Sequence, residues 1–229
     1  MKVSVVVPAY NEGATLGRCL AAVYDRNPGL DLEVIVVDDG SSDATPAVLA
    51  AQKRPGFKVL RHETNRGKGA AIRTGLAAAT GEVVIIQDAD LEYDPGEYGL
   101  LLEPIRQGRA DVVYGSRTLH PHYRRHSFSF FWGGQVVTWA TNILFGCALT
   151  DEPTCYKVFR AEVLKRIKLT CTRFEFCPEV TGKVLLLGYP ILEVPISYNP
   201  RSAAEGKKIR WRDGVEALWT LVRVRLTGR

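Results

Sequence analysis

The chain has 229 residues, 46% hydrophobic and 24% charged, which fits one large α/β domain and argues against disordered, collagen-like and disulfide-scaffold classes. Thirty Lys and Arg against 25 Asp and Glu give a net charge of +5, and the segment from Asn199 onward, with eight basic and three acidic residues, carries all of it. A charge gathered at one end points to an anionic partner, such as phosphate or a membrane surface, more strongly than a uniformly basic surface does.

Five cysteines, an odd number without paired CxxC spacing, read as reduced cytosolic thiols rather than a zinc site. Residues 1–7 are too short for a secretory apolar core. The longest stretch free of Asp, Glu, Lys and Arg, between Arg125 and Asp151, is interrupted by Gln135, Asn142 and the Gly133-Gly134 pair, so it is a poor membrane span.

In chain order, β-branched runs predict strands at Lys2–Val7, Glu33–Val37, Lys58–Arg61, Val83–Gln87 and Asp111–Tyr114. Leu16, Cys19, Leu20 and Val23 recur with helical spacing, with Asn11 the expected N-cap. Asp43 with Pro46 and Asp94 with Pro95 mark two further helix starts. This alternation predicts βαβ units around a mostly parallel sheet flanked by helices. Beyond it, a long helix is expected from Phe128 to Phe145, a strand at Thr154–Phe159, a helix at Glu179–Leu187 and a strand at Ile191–Val194. The end, about Arg212 to Leu226, places Val215, Leu218, Trp219, Val222 and Leu226 on one face of an amphipathic helix. Its Trp and Leu pattern favours lipid over nucleic acid.

Three motifs fall at the carboxyl ends of the predicted first, second and fourth strands, where open parallel sheets bind ligands. They are VVPAYNE (6–12), VVDDGSSD (36–43) and QDADLE (87–92). Asp88 and Asp90 are two apart, so continued strand geometry directs both carboxylates to one side, with Glu92 next on that side. Such a trio repels itself unless a cation intervenes. Mg2+ or Mn2+, which takes one or two carboxylates and completes its shell with water and phosphate, suits it, and Ala89 leaves room for a ligand.

Together with Asn65–Gly69 (NRGKG) and Gly115–Arg117 (GSR), these motifs make the chain resemble family 2 glycosyltransferases of the GT-A fold, and within them the polyprenol-phosphate (dolichol-phosphate) sugar transferases. The resemblance implies a Rossmann-like single domain, with residues 1–198 as the catalytic part. Residues 199–229 are then a basic segment with an amphipathic helix that packs on the same domain or meets a membrane.

It also implies that Pro8, Tyr10, Glu12 and Asp38 or Asp39 hold the nucleotide, that Asp88, Ala89 and Asp90 contact the diphosphate-sugar, and that Asp88, Asp90 and Glu92 hold a divalent metal. Asp90 and Arg117 are the expected catalytic residues, and Arg117, Arg201 and Lys207 the expected acceptor-phosphate ligands. Relatives often carry Gln at the Glu92 position, and a Gly common after Thr154 is replaced by Cys155.

The implied reaction inverts a sugar carbon in passing it from a GDP- or UDP-linked donor to a polyprenyl phosphate. The enzyme would be peripheral at the cytoplasmic, inner face of a membrane, with a separate membrane protein as a further partner and no nucleic acid. The alternative is a soluble family 2 transferase with a hydroxyl acceptor, which would need Glu175 or Glu179 as a general base. The four histidines have neither metal spacing nor a neighbouring nucleophile.

Overall fold

The computed structural model describes residues 1–122, 128–201 and 211–228, the side chains of 128–130 excepted. Seven strands form one sheet: β1 (Lys2–Ala9), β2 (Asp31–Asp38), β3 (Phe57–Arg61), β4 (Val83–Ile86), β5 (Val112–Ser116), β6 (Lys157–Arg160) and β7 (Ile191–Pro195), in the order β3-β2-β1-β4-β6-β5-β7. β6 runs antiparallel between β4 and β5, and the other pairs are parallel. The central strands are covered on both faces, which explains their unbroken apolar runs: Val5, Val6, Val7, Val83, Ile85 and Ile86 are all buried.

The helices are α1 (Leu16–Asp25), α2 (Thr45–Ala50), α3 (Lys68–Ala78), α4 (Tyr98–Arg106), α5 (Phe128–Phe145), α6 (Ala161–Lys165), α7 (Phe176–Leu186) and α8 (Trp211–Thr227). The expected stripe Leu16, Cys19, Leu20 and Val23 is the buried face of α1. Its N-cap is Thr15, not Asn11, which instead takes a left-handed turn at φ 50° and accepts a 2.9 Å bond from the Ser42 amide. Asp94 does cap its segment, accepting from the Gly96 amide ahead of α4.

From β1 the chain moves outward through β2 and β3, then returns with β4 to the other side of β1. The carboxyl ends of β1 and β4 therefore flank the point where the winding reverses, a crevice that loops cannot bridge. Gly67 sets the entry to α3 there. Its φ is 95°, and a Cβ would lie 2.3 Å from the Thr172 carbonyl oxygen, so a larger residue would push α3 off the 170–173 loop.

α8 packs against α5 and α7. Thr220, Leu221 and Val224 are its buried residues, and Val224 meets α7 at Gly182, where a Cβ would come within 2.9 Å of Val224 Cγ1. The sequence-expected apolar face points elsewhere: Val215, Trp219 and Leu226 are exposed. On α5, Val136, Trp139 and Ile143 are likewise exposed. Among the described residues no helix is long and apolar enough to cross a membrane.

Candidate active site

The loops after β1 and β2 are sewn together. The Asn11 amide donates to Ser41 Oγ, the Glu12 amide to Thr45 Oγ1 and the Gly13 amide to Asp43 Oδ2, each at 2.9 Å. Pro8 is buried at the strand end, Tyr10 lies at the surface, and Glu12 is buried with its carboxylate turned toward the crevice cations.

The two aspartates that end β2 have different tasks. Asp39 accepts from the Arg66 and Gly67 amides at 2.9 and 2.7 Å, and its Oδ1 lies 2.6 Å from His62 Nδ1. Its carboxylate thus organises the 62–67 loop and the start of α3. Asp38 Oδ1 accepts from the Ser41 amide, while its buried Oδ2 has no hydrogen bond and only Arg61 at 3.4 Å. Of the pair, Asp38 is the one with acceptor capacity left over among the described residues.

Strand geometry does not continue through residues 87–92. β4 ends at Ile86 and the chain turns at residues 89–90, so Asp88 and Asp90 diverge to different cations, and Leu91 beyond them is left-handed at φ 63°. Lys68 Nζ, from the first turn of α3, lies 2.5 Å from Asp88 Oδ1. Burial alone would raise the pKa of Asp88, but the Lys68 ammonium outweighs it and the carboxyl is held below its usual range.

Arg201 takes the other side. Its Nη2 is 2.7 Å from Asp90 Oδ2, its Nη1 3.1 Å from Glu12 Oε2, its Nε 3.9 Å from Glu92 Oε1, and its amide donates to Glu92 Oε1 at 2.8 Å. Despite that cation, burial and the charges of Asp88 and Glu92 push the Asp90 carboxyl up to about 7. The expected trio Asp88, Asp90 and Glu92 is therefore corrected in its geometry. Among the described residues no three His, Cys, Asp or Glu side chains are gathered as a metal cage, because Lys68 and Arg201 occupy the positions between the carboxylates.

The donor set still fits a hard divalent ion. It is all carboxylate oxygen, it holds more negative charge than its cations relieve, and such an ion needs only one or two protein carboxylates beside substrate phosphate. Ala89 differs from expectation: its methyl is packed in the main core, so it offers a ligand backbone rather than space.

Arg117, after β5, does not stand free. Nε and Nη2 form a two-pronged pair with Asp151 at 2.7 Å each, the Arg117 amide adds a third bond to Asp151 Oδ2, and the guanidinium lies over the Tyr198 ring, 4.9 Å from its centroid. Asp151 is itself held by Glu193 of β7, which accepts from the Thr150 and Asp151 amides. The planar fork leaves one edge of the guanidinium for a phosphate. Lys207, like Arg124 and Arg125, lies outside the described residues.

The candidate bases for a hydroxyl acceptor are spent on local structure. Glu175 accepts from the Thr172 and Arg173 amides. Glu179, fully buried, accepts from the Thr170 and Cys171 amides and pairs with Lys183 at 2.7 Å. Burial would raise the Glu179 pKa, but Lys183 and the donors of Thr170 and Cys171 overcome it and bring the carboxyl down to about 2. Its contribution to stability is thus full above the ordinary Glu value near 4.3 and disappears as pH falls toward about 2. Glu179→Gln should unfold with about 3 kcal/mol less free energy at pH 7, and urea titrations should show the gap closing between about pH 4.5 and 2. A gap independent of pH would contradict this account.

Lys68, Asp151 and Tyr198 are site residues that no motif assigned. Lys68 lies within the NRGKG segment and Asp151 opens residues 151–157 (DEPTCYK), but nothing in local spacing pairs Lys68 with Asp88 or Asp151 with Arg117.

Residues 4–168 match the family model described as glycosyl transferase family 2. The chain is 32% identical to the undecaprenyl-phosphate mannosyltransferase of Micrococcus luteus, over 99% of both proteins. It is 29% identical, over 90% of its length, to the dolichol-phosphate mannosyltransferase of Pyrococcus furiosus, of which it spans 59%. Among solved structures, the glucosyl-3-phosphoglycerate synthase of Mycobacterium tuberculosis, in complex with Mn2+, uridine diphosphate and phosphoglyceric acid, superimposes with a TM-score of 0.76 over 98% of this chain and 78% of that one. At 22% identity that is a likeness of fold, and it agrees with the GT-A architecture expected from the motifs.

Proposed function

The chain belongs to glycosyl transferase family 2, and from that premise we propose that it transfers a hexose from a GDP- or UDP-linked donor to a polyprenyl phosphate at the cytoplasmic face of a membrane. The observation that carries this reading is the meeting, at the carboxyl ends of β1 and β4, of Glu12, Asp90 and Glu92 around Arg201, with Arg117 close by through Tyr198. That crevice interleaves carboxylates with guanidinium groups suited to phosphate. Both M. luteus and P. furiosus relatives are named for transfer to or synthesis of a polyprenyl-type phosphate sugar, which supports the acceptor class.

In this reading Pro8, Tyr10, Glu12 and Asp38 bind the nucleotide, and Asp39 keeps the 62–67 loop in place. Asp88, Asp90 and Glu92 would hold Mg2+ or Mn2+, which as a Lewis acid neutralises charge on the departing diphosphate. Arg117, Arg201 and Lys207 grip the acceptor phosphate, and one of its oxygens attacks the anomeric carbon as the bond to the diphosphate breaks, with inversion. A phosphate monoester is already ionised near neutral pH, so no base is required, in keeping with Glu175 and Glu179 being engaged elsewhere. Positioning then supplies much of the rate.

Incubation with a panel of nucleotide sugars, Mg2+ or Mn2+, and polyprenyl phosphate should yield a glycolipid by mass spectrometry. Product only with a hydroxyl acceptor would overturn the proposal.

The membrane end of the proposal rests on α5 and α8. In this reading α8 belongs with the catalytic body through its buried stripe, while its outward stripe meets lipid and its arginines meet anionic headgroups. Trp139 is 51% and Trp219 65% exposed, so Ser at both should leave thermal stability unchanged yet weaken cosedimentation with anionic vesicles by roughly tenfold or more. Undiminished, salt-sensitive binding by the double variant would remove these helices from the membrane contact.

A further inference from the structure

Tyr198 stands three residues beyond β7 and touches both halves of the crevice. Its hydroxyl donates to Glu92 Oε2 at 3.0 Å, while its ring face carries the Arg117 guanidinium at 4.9 Å. The backbone on its far side closes on the same residue: the Asn199 amide donates to the Glu92 backbone carbonyl at 2.9 Å and the Arg201 amide to the carboxylate at Oε1 at 2.8 Å. The ring is backed by Tyr93, centroid to centroid 5.4 Å, and the Tyr93 hydroxyl is anchored by the Cys155 amide.

We propose that Tyr198 is a positioning residue for both substrates: its hydroxyl aims the Glu92 carboxylate at the donor-side cation, and its ring face aims Arg117 at the acceptor phosphate. The two tasks reside in different atoms of one rigid side chain, so the donor-side and acceptor-side groups keep a fixed separation. Asp151 already saturates one edge of Arg117, and the ring fixes the plane in which the remaining edge lies. A hydrogen bond to a metal-binding carboxylate commonly governs metal affinity by 10- to 100-fold. The inference rests on the proposed roles of Glu92 and Arg117.

Because the tasks are separable, the conservative variant divides them. The full chain, Tyr198→Phe and Tyr198→Leu would each be titrated calorimetrically with Mn2+ in the presence of GDP or UDP, and separately with farnesyl phosphate. Tyr198→Phe should weaken Mn2+ binding about 10-fold and leave farnesyl phosphate affinity within about twofold. Tyr198→Leu should weaken both, farnesyl phosphate by about fivefold. Equal losses of both ligands in Tyr198→Phe, or Mn2+ binding unchanged by it, overturn the proposal. So does a Tyr198→Leu chain that folds and binds farnesyl phosphate as Tyr198→Phe does. Should the Leu variant not fold, the Phe variant alone remains decisive. Wild-type chain that takes up Mn2+ with nucleotide but no isoprenyl phosphate defeats the proposed acceptor and the Arg117 half together, while the Phe variant still decides the Glu92 half.

Discussion

Asp90→Asn should lower sugar transfer by about a thousandfold while leaving the fold intact. The substitution keeps the shape of the side chain and removes its charge at the point where Asp88, Asp90 and Glu92 crowd together. Charge growing on the leaving diphosphate has to be met by a cation, and that cation is held by these carboxylates in the proposed reaction. A thousandfold loss corresponds to about 4 kcal/mol of transition-state stabilisation, within the range lost when one preorganised electrostatic contact is removed. Stability should move the other way or not at all. Burial and its like-charged neighbours already push the Asp90 carboxyl up to about 7, so the ionised group sits there at a cost that the amide relieves. The amide oxygen can still accept from Arg201, whose Nη2 lies 2.7 Å from Asp90 Oδ2. Turnover within tenfold of wild type, in a variant of unchanged melting temperature, would place the essential charge elsewhere.

Arg117→Ala should cost both stability and acceptor binding, and a second substitution should separate the two. Removing the guanidinium strands Asp151, whose side chain is only 3% exposed and which loses its two-pronged partner. Breaking a buried pair from one side costs about 3 kcal/mol or more, which for a chain of this size lowers the melting temperature by roughly 6–12 °C. Arg117→Ala with Asp151→Asn removes the stranded charge and should recover much of that loss. Affinity for farnesyl phosphate should remain weak in both, since neither restores a cation, whereas nucleotide affinity should change little. A double variant that regains acceptor binding along with stability would show that Arg117 serves only the fold.

Much of the architecture was legible locally. The β-branched runs placed β1 to β5 within one or two residues of their observed ends, and the i, i+3, i+4 spacing of Leu16, Cys19, Leu20 and Val23 found the buried face of α1. The motifs at the ends of β1, β2 and β4 are likewise properties of short segments, because turns, caps and strand ends are chosen by neighbouring residues. Helical spacing was less informative for α8. It marked Val215, Leu218, Trp219, Val222 and Leu226 as one apolar stripe, of which Leu218 and Val222 are half-buried and the rest exposed, while full burial went to Thr220, Leu221 and Val224, where Gly182 of α7 admits Val224 at close range. A periodic pattern identifies an apolar face and does not say which face a neighbour will cover.

The sequence by itself thus determined the fold class, the strand-end location of the site and the residue types that bring carboxylates and cations to it. Only the tertiary structure decided how those charges pair. Glu12, the Asp90 and Glu92 segment, and Arg201 are far apart in the chain and meet because β4 returns beside β1 and the segment after β7 folds back over both. The end of β4 at Ile86 and the turn at residues 89–90 send Asp88 to Lys68 and Asp90 to Arg201 instead of to one shared side. Asp151 and Tyr198 acquire their roles in the same way, from strands that are neighbours only in the sheet, since an electrostatic partner is selected by distance in space and desolvation rather than by separation along the chain.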